Sequence, residues 1–145
     1  MDYIKEAEGY LRSYRDFKKS IELIESEIEY LDEELVGAKA IDYSGMPNGG
    51  GATLPDDRVI NLLYQKQVKQ KALDSTILKV NHIENIFINL GEKDEEILKA
   101  FYLDNLRGIE LEGKFGVSER HAYNLKKAAI KRFAIQLFGI KVVGD

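Results

Sequence analysis

The chain has 145 residues, enough for one domain or two small ones with a modest core. It contains no cysteine and only two histidines, which excludes a disulfide framework, a thiolate metal site and a zinc site built from histidine alone. The formal net charge of −4 would argue against a nucleic-acid partner only if charge were spread evenly along the chain, and it is not.

The first forty residues predict one long helix. Apolar side chains recur at alternating four- and three-residue steps, a heptad seam sustained for more than four heptads. The opening residues are charged, and no run approaches the roughly 20 apolar residues of a membrane span. We therefore expect a cytoplasmic protein whose first helix runs from Asp2 to about Ala40. The seam consists of Tyr3, Ala7, Tyr10, Tyr14, Phe17, Ile21, Ile24, Ile28, Leu31 and Leu35.

Both prolines and a glycine triplet then interrupt the pattern, which predicts a connecting loop over about residues 41–57. Asp56 and Asp57 suit a helix start, and a second helical pattern continues to Leu90. Its apolar stripe consists of Val59, Leu63, Leu73, Ile77, Val80, Ile83, Phe87 and Leu90. Two helices joined by a loop most simply form a long antiparallel helical hairpin, here over residues 1–90.

Two helices alone leave part of this apolar surface uncovered. The side chains in excess are Tyr10, Tyr14, Phe17, Ile86 and Ile88. Either the C-terminal part of the chain or a second chain can cover them. We expect the hairpin to be a self-association module and the protein to be a homo-oligomer.

Residues 91–145 predict a second, smaller domain built on a helix-turn-helix. Gly91 ends the second helix, and further helices are expected from Lys93 to about Asp104 and from Ile109 to Phe115. Gly116 then allows the left-handed backbone of a tight corner, and Ser118 is a good N-cap for the last helix. The expected fold is therefore all-α, with a long antiparallel hairpin followed by a small helix-turn-helix domain.

The last helix has two chemically different faces at about 100° per residue. Ala122, Leu125, Ala129 and Phe133 share one face, and Arg120, Asn124, Lys127 and Lys131 share the opposite one. Residues 114–141 carry seven basic side chains and one acidic side chain, so positive charge concentrates on this region. Such a division favours an inward packing face and an outward face that binds DNA.

The side-chain types on the outward face suit the major groove. Arg120 and Asn124 can form paired hydrogen bonds with guanine and adenine edges, whereas Lys127 and Lys131 are better suited to phosphates. The predicted DNA-binding residues are Ser118, Arg120, His121, Tyr123, Asn124, Lys127 and Lys131. One position is irregular, because Glu112 falls where helix-turn-helix units usually have a small residue facing the second helix.

The segment from Phe115-Gly116-Val117-Ser118 to Lys131-Arg132-Phe133 resembles the C-terminal promoter-reading domain of bacterial sigma factors. Glu95-Glu96-Ile97-Leu98 and Phe101-Tyr102-Leu103 also fit that domain's first helix. Over its full length the chain resembles the small phage and prophage regulators of the ArpU and RinA type. The match includes the loop Tyr43-Ser44-Gly45-Met46-Pro47-Asn48-Gly49-Gly50 between two long helices.

This resemblance implies a sequence-specific DNA-binding regulator of phage late, packaging or structural genes, with double-stranded DNA and RNA polymerase as partners. It implies promoter contacts by Arg120, His121, Tyr123, Asn124 and Lys127. Nothing in the chain resembles the sigma region that melts promoter DNA, so a complete sigma factor is not expected. Two alternatives remain open: a DNA-packaging protein similar to small terminase subunits, and an adaptor whose helix-turn-helix binds polymerase instead of DNA.

Enzymatic activity is not expected. The carboxylates lie in runs typical of solvated helix faces, no nucleophile is visibly paired with a base, and no glycine-rich cofactor motif is present. His82 is expected to be a partly buried structural residue beside the stripe of the second helix. We therefore expect no catalytic residue, cofactor or metal.

Overall fold

The computed structural model describes residues 1–43 and 53–144, and all regular structure in these ranges is helical, which confirms the all-α expectation. The predicted loop residues 44–52 lie outside the described residues, as does Asp145. Five α-helices follow one another: α1 Tyr3–Tyr43, α2 Thr53–Leu90, α3 Glu92–Leu98, α4 Ile109–Phe115 and α5 Glu119–Phe138. A π-helical segment, Lys99–Leu103, continues α3, and a 3₁₀ helix, Gly139–Val143, follows α5. None of the described helices has the length and apolar character needed to cross a membrane.

Both long helices extend into the stretch that was predicted to be loop. The backbone N–H of Lys5 donates to the Asp2 carboxylate at 3.1 Å, so Asp2 caps α1. Helix α1 continues to Tyr43, beyond the expected end at Ala40, and α2 begins earlier than expected, at Thr53. Pro55 is tolerated there because the first turn of a helix has no backbone hydrogen bond for proline to break.

The chain divides into two compact units, and the division differs from the expected boundary after residue 90. The middle unit contains residues 18–78, and the terminal unit contains residues 1–17 and 79–145. The first part of α1 and the last part of α2 thus belong to the same unit as the helix-turn-helix. Aromatic contacts explain the difference, because the Phe87 ring meets Tyr14 edge-on at 6.2 Å and lies 5.8 Å from the Phe133 ring.

In the middle unit, α1 and α2 run antiparallel around a small aliphatic core. Three ion pairs join the helices in opposite sequence order: Glu34 with Arg58 at 2.6 Å, Asp32 with Lys66 at 2.6 Å, and Glu27 with Lys69 at 2.5 Å. The core cluster consists of Leu31, Leu35, Ala38 and Leu62, with Val59 packed against it. Leu63, which was predicted to belong to the apolar stripe, is 47% exposed. Its neighbour Leu62 is buried on this face of α2 instead.

In the terminal unit, the chain itself covers most of the apolar surface that the hairpin was expected to leave over. Tyr14 and Ile86 are buried, while Tyr10 and Phe17 are half-buried. The Tyr10 ring lies 6.3 Å from the ring of Phe138, at the end of α5. Only Ile88 of the five remains exposed, at 75%. His82 is also exposed, contrary to expectation.

The helix predicted from Lys93 to about Asp104 is present, but its second half is wider than an α-helix. The N–H of Asp104 donates to the carbonyl of Lys99 at 2.9 Å, a span of five residues that defines a π-turn. Residues 100–103 are all buried. Arg15 of α1 holds the end of this segment, donating to the Leu103 carbonyl at 3.0 Å and to the Asp104 carboxylate at 2.8 Å.

Candidate nucleic-acid interface

The predicted turn between α4 and α5 is confirmed. Gly116 adopts φ 66° and ψ 28°, the left-handed conformation that costs glycine least, and its N–H donates to the Glu112 carbonyl at 2.8 Å. Ser118 is extended, and its hydroxyl oxygen accepts a hydrogen bond from the His121 N–H at 3.1 Å. The serine is therefore the N-cap of α5, as the sequence predicted.

Glu112 is the second cap of the same helix. One of its carboxylate oxygens accepts a hydrogen bond from the backbone N–H of Glu119 at 3.0 Å. A negative group at a helix N-terminus also interacts favourably with the helix dipole. The acidic residue in place of a small one thus ties α4 to α5 across the turn. Protein groups thus accept hydrogen bonds from two backbone N–H groups at the start of α5, those of Glu119 and His121.

The outward face of α5 presents the four side chains that the sequence assigned to it. Arg120, Asn124, Lys127 and Lys131 are all exposed. Among the residues that the structure describes, none of the four side chains takes part in a hydrogen bond or an ion pair. From Arg120 to Lys131 they span twelve residues of helix, about 16 Å. The face therefore combines three uncompensated positive charges with one amide that can both donate and accept.

The other three predicted DNA-binding residues differ in how much of their side chains is exposed and without a contact. They are Ser118, His121 and Tyr123. His121 is exposed. Tyr123 is 37% exposed, and its ring meets Phe101 edge-on at a centroid distance of 5.4 Å. The Ser118 hydroxyl is engaged as a cap. His121 thus has the freest side chain, while Tyr123 presents only part of its ring to solvent.

The inward face of α5 is rotated from the expected one. Its buried residues are Ala122, Ala129, Ile130, Phe133 and Ala134. Leu125, predicted to be inward, is 40% exposed, so that prediction was wrong. Ile130 and Ala134, which adjoin the predicted face, are buried in its place. Leu125 instead lines a cavity of about 320 Å³ together with Ile97 and Phe115.

Two of the seven cations in the basic region are used inside the terminal unit. Arg132 forms a two-pronged contact with Asp94 of α3, donating from Nε at 2.7 Å and from Nη2 at 2.8 Å. This hydrogen bonding raises the pKa of Arg132. The contact is of the bidentate kind that fixes geometry as well as charge. Arg132 therefore joins α5 to α3.

Lys126 is the second cation with contacts inside the terminal unit, and it is not one of the predicted DNA-binding residues. Its Nζ lies 4.4 Å from the centroid of the Phe101 ring, 5.6 Å from that of Tyr123 and 5.9 Å from that of Tyr102. Burial lowers the pKa of Lys126. The helical wheel could have distinguished Lys126 from Lys127, because the side chains of consecutive helical residues point about 100° apart and Lys127 lies on the outward face.

Comparisons with known proteins add no relative. No protein-family model matches the sequence, and neither curated proteins nor solved structures provide a match.

Proposed function

We propose that the chain is a sequence-specific DNA-binding transcription regulator that reads the major groove with α5. The observation that carries the proposal is the outward face of this helix. Arg120, Lys127 and Lys131 remain exposed and without an ionic partner among the described residues, although the protein is acidic as a whole. Phosphates would neutralise such charges.

The local geometry of α5 supports the same proposal. A left-handed glycine corner and two caps set the start of the helix, and the Arg132–Asp94 contact ties its later part to α3. A reading helix needs this kind of support, because hydrogen bonds to base edges demand a fixed side-chain origin. In this arrangement Arg120 and Asn124 face bases, and Lys127 and Lys131 face phosphates.

The biological role within this proposal is control of phage late, packaging or structural genes. It is based on the sequence resemblance to ArpU- and RinA-type regulators and to the promoter-reading domain of sigma factors. RNA polymerase is a proposed partner on the same basis. A gene position immediately upstream of terminase genes would support this role.

Selection of bound sequences from a random duplex library tests the function directly. We expect enrichment of a defined site, and a loss of about 1–3 kcal/mol of binding free energy at that site for each of Arg120→Ala and Asn124→Ala. Gln67→Ala, at an exposed position of α2 in the middle unit, is the control and should leave binding unchanged. No enrichment, or equal binding by both outward-face variants and wild type, would reject direct readout.

We also propose that the protein self-associates through the middle unit, using a surface different from the one first expected. Apolar side chains outside its core are strongly exposed: Leu23 65%, Tyr30 61%, Ile60 64% and Tyr64 64%. Three of the four cations of α2 in this unit already pair with α1 of the same chain, so contact between copies depends on these apolar side chains. Two hairpins would then form a four-helix arrangement.

Sedimentation equilibrium of the full chain tests this association and one alternative function. Tyr64→Glu should shift the protein toward monomer, whereas Ile88→Glu, at a similarly exposed site of the terminal unit, should not. Equal behaviour of the two variants would refute the proposed surface. A closed ring of many subunits would favour the DNA-packaging alternative, while a dimer favours the regulator.

The polymerase-adaptor alternative makes an opposite prediction for the outward face. The exposed Leu125 beside Ile97 and Phe115 is the observation in its favour. An adaptor predicts unchanged promoter binding after Arg120→Ala and Asn124→Ala, whereas direct readout predicts the loss stated above.

A further inference from the structure

We infer that Lys126 is a positioning residue of the reading helix that acts through an aromatic cage and does not contact DNA. This inference extends the proposed DNA-binding function. It assigns different roles to two adjacent lysines of the same charge, Lys126 and Lys127. The cage consists of the rings of Phe101, Tyr102 and Tyr123, which belong to the π-helical segment and to α5 itself.

The cage is made of rings that are themselves held in place. Phe101 is 5% exposed and Tyr102 is 2% exposed. The hydroxyl of Tyr102 donates to a Glu8 carboxylate oxygen of α1 at 2.6 Å, and the Phe101 ring meets the Tyr102 ring at 5.1 Å. An ammonium over such rings is attracted by their negative faces, and the attraction strengthens as water is removed. Lys126 therefore links α5 to the π-helical segment.

Two consecutive aromatic residues of the π-helical segment lie close to the same lysine. In an α-helix, neighbouring side chains point about 100° apart. The centroids of the Phe101 and Tyr102 rings nevertheless both lie within 6 Å of Lys126 Nζ, in a π-helical segment whose residues from Ala100 to Leu103 are all buried. A π-helical turn often occurs where function requires a particular side-chain arrangement.

Other charges around the cage argue against a second role for Lys126 as a phosphate contact. Arg107 lies over the same Phe101 ring at 3.6 Å, and Arg12 lies over Tyr102 at 5.2 Å. Both lower the pKa of Lys126, while Glu8 raises it. The half-buried ammonium thus lies among aromatic rings with two arginines and one carboxylate of its own chain nearby, whereas Lys127 is exposed with no partner among the described residues.

The inference predicts different salt dependences for the two lysines. The probe is a fluorescein-labelled random-sequence duplex, bound by full-length Lys126→Met and Lys127→Met proteins over a series of salt concentrations. Lys127→Met should reduce the slope of log affinity against log salt by about 0.9, the loss of one phosphate contact. Lys126→Met should leave the slope unchanged. Equal reductions in both variants would overturn the inference.

A second measurement does not depend on DNA and uses the wild-type protein. In a carbon–proton NMR spectrum of lysine side chains, the ε-methylene of Lys126 should be shifted upfield by the neighbouring rings, and Phe101→Leu should reverse most of this shift. Absence of a ring-shifted lysine signal would overturn the inference. If the wild type binds no DNA, the proposed function fails and this spectrum still decides the position of Lys126.

Rescue by a conservative variant distinguishes positioning by charge from simple filling of space. Lys126→Arg retains a cation over the rings, whereas Lys126→Met retains only the apolar stem. We expect the backbone amide signals of Arg120 and Asn124 to match wild type in Lys126→Arg and to move in Lys126→Met. Wild-type signals in both variants would show that the cation does not position the helix.

Discussion

The two units of the molecule differ in what forms their core and in which side chains one surface presents to solvent. In the middle unit, three ion pairs cross between α1 and α2, while large apolar side chains such as Tyr30 and Ile60 remain exposed. The terminal unit has a buried aromatic core around Phe87 and Phe133, although Ile88 and Leu125 are exposed. Three cations without an ionic partner among the described residues share the outward face of α5: Arg120, Lys127 and Lys131.

This contrast indicates what kind of partner each unit fits. Exposed apolar side chains favour contact with another protein surface, and the middle unit carries them on both of its helices. Unpaired cations along one helix favour a polyanion, and the terminal unit carries these.

The largest expected effect is loss of the aromatic core in the terminal unit. Phe133 is fully buried against Phe87, so Phe133→Ala should lower the free energy of unfolding by about 3–5 kcal/mol. Chemical denaturation followed by circular dichroism measures this change. Leu23→Ala, at a side chain that is 65% exposed, is the control and should change stability by no more than about 0.5 kcal/mol. Similar losses in both variants would contradict the contrast between the units.

The next effect concerns the hydroxyl of Tyr14, which donates to a Glu84 carboxylate oxygen at 3.1 Å. Burial and this hydrogen bond raise the pKa of Tyr14 from 10.0 to about 12. A raised folded-state pKa means that the stabilisation is complete below pH 10 and is lost as pH rises toward 12. We expect Tyr14→Phe to remove roughly 1.5–3 kcal/mol near neutral pH and much less at high pH.

Denaturation of the wild type and the variant across this pH range checks the prediction. Tyr30→Phe is the matched control, since Tyr30 is 61% exposed and its hydroxyl forms no hydrogen bond among the described residues. A difference between wild type and Tyr14→Phe that stays constant up to pH 12 would rule out the proposed coupling to ionisation.

A smaller effect is expected from the two caps of α5. Ser118→Ala and Glu112→Ala each remove one acceptor from the helix N-terminus and should cost about 1 kcal/mol. Glu112→Gln retains an oxygen acceptor and should lose less than Glu112→Ala. Thermal unfolding measures all three. If Glu112→Ala is as stable as wild type, the carboxylate does not act as a cap in solution.

The smallest effect should come from an ion pair of the middle unit. Lys66 and Asp32 are 37% and 48% exposed, so Lys66→Ala should cost only about 0.2–1 kcal/mol, and added salt should reduce that cost. Comparing the denaturation midpoints at low and high salt measures it. A loss as large as that of Phe133→Ala would show that ion pairs, and not apolar burial, dominate this unit.

The sequence predicted the helices well because apolar period, glycine and capping residues act locally. It did not decide which of two adjacent apolar residues faces inward. Leu62 and Leu63 both fit a helical stripe, and contact with α1 selects the former. Leu125 was misplaced for a similar reason, since Ile130 and Ala134 beside the predicted stripe are buried and Leu125 is not.

Most of the candidate interface could also be predicted from the sequence. A helical wheel places Arg120, Asn124, Lys127 and Lys131 together without reference to the rest of the fold. The cap formed by Glu112 and the cage around Lys126 could not be predicted in this way. Each depends on the position of side chains from another helix. The apolar periodicity of a single helix does not predict such contacts.

The most direct test of the central claim, that the outward face of α5 binds DNA, compares two equivalent lysines. Lys131 on α5 and Lys71 in the middle unit are both exposed and form no ion pair with a described residue. The slope of log affinity against log salt, measured with a random-sequence duplex, should fall by about 0.9 in Lys131→Ala and should not change in Lys71→Ala. Equal slopes in both variants, or no binding by the wild type at low salt, would contradict the claim.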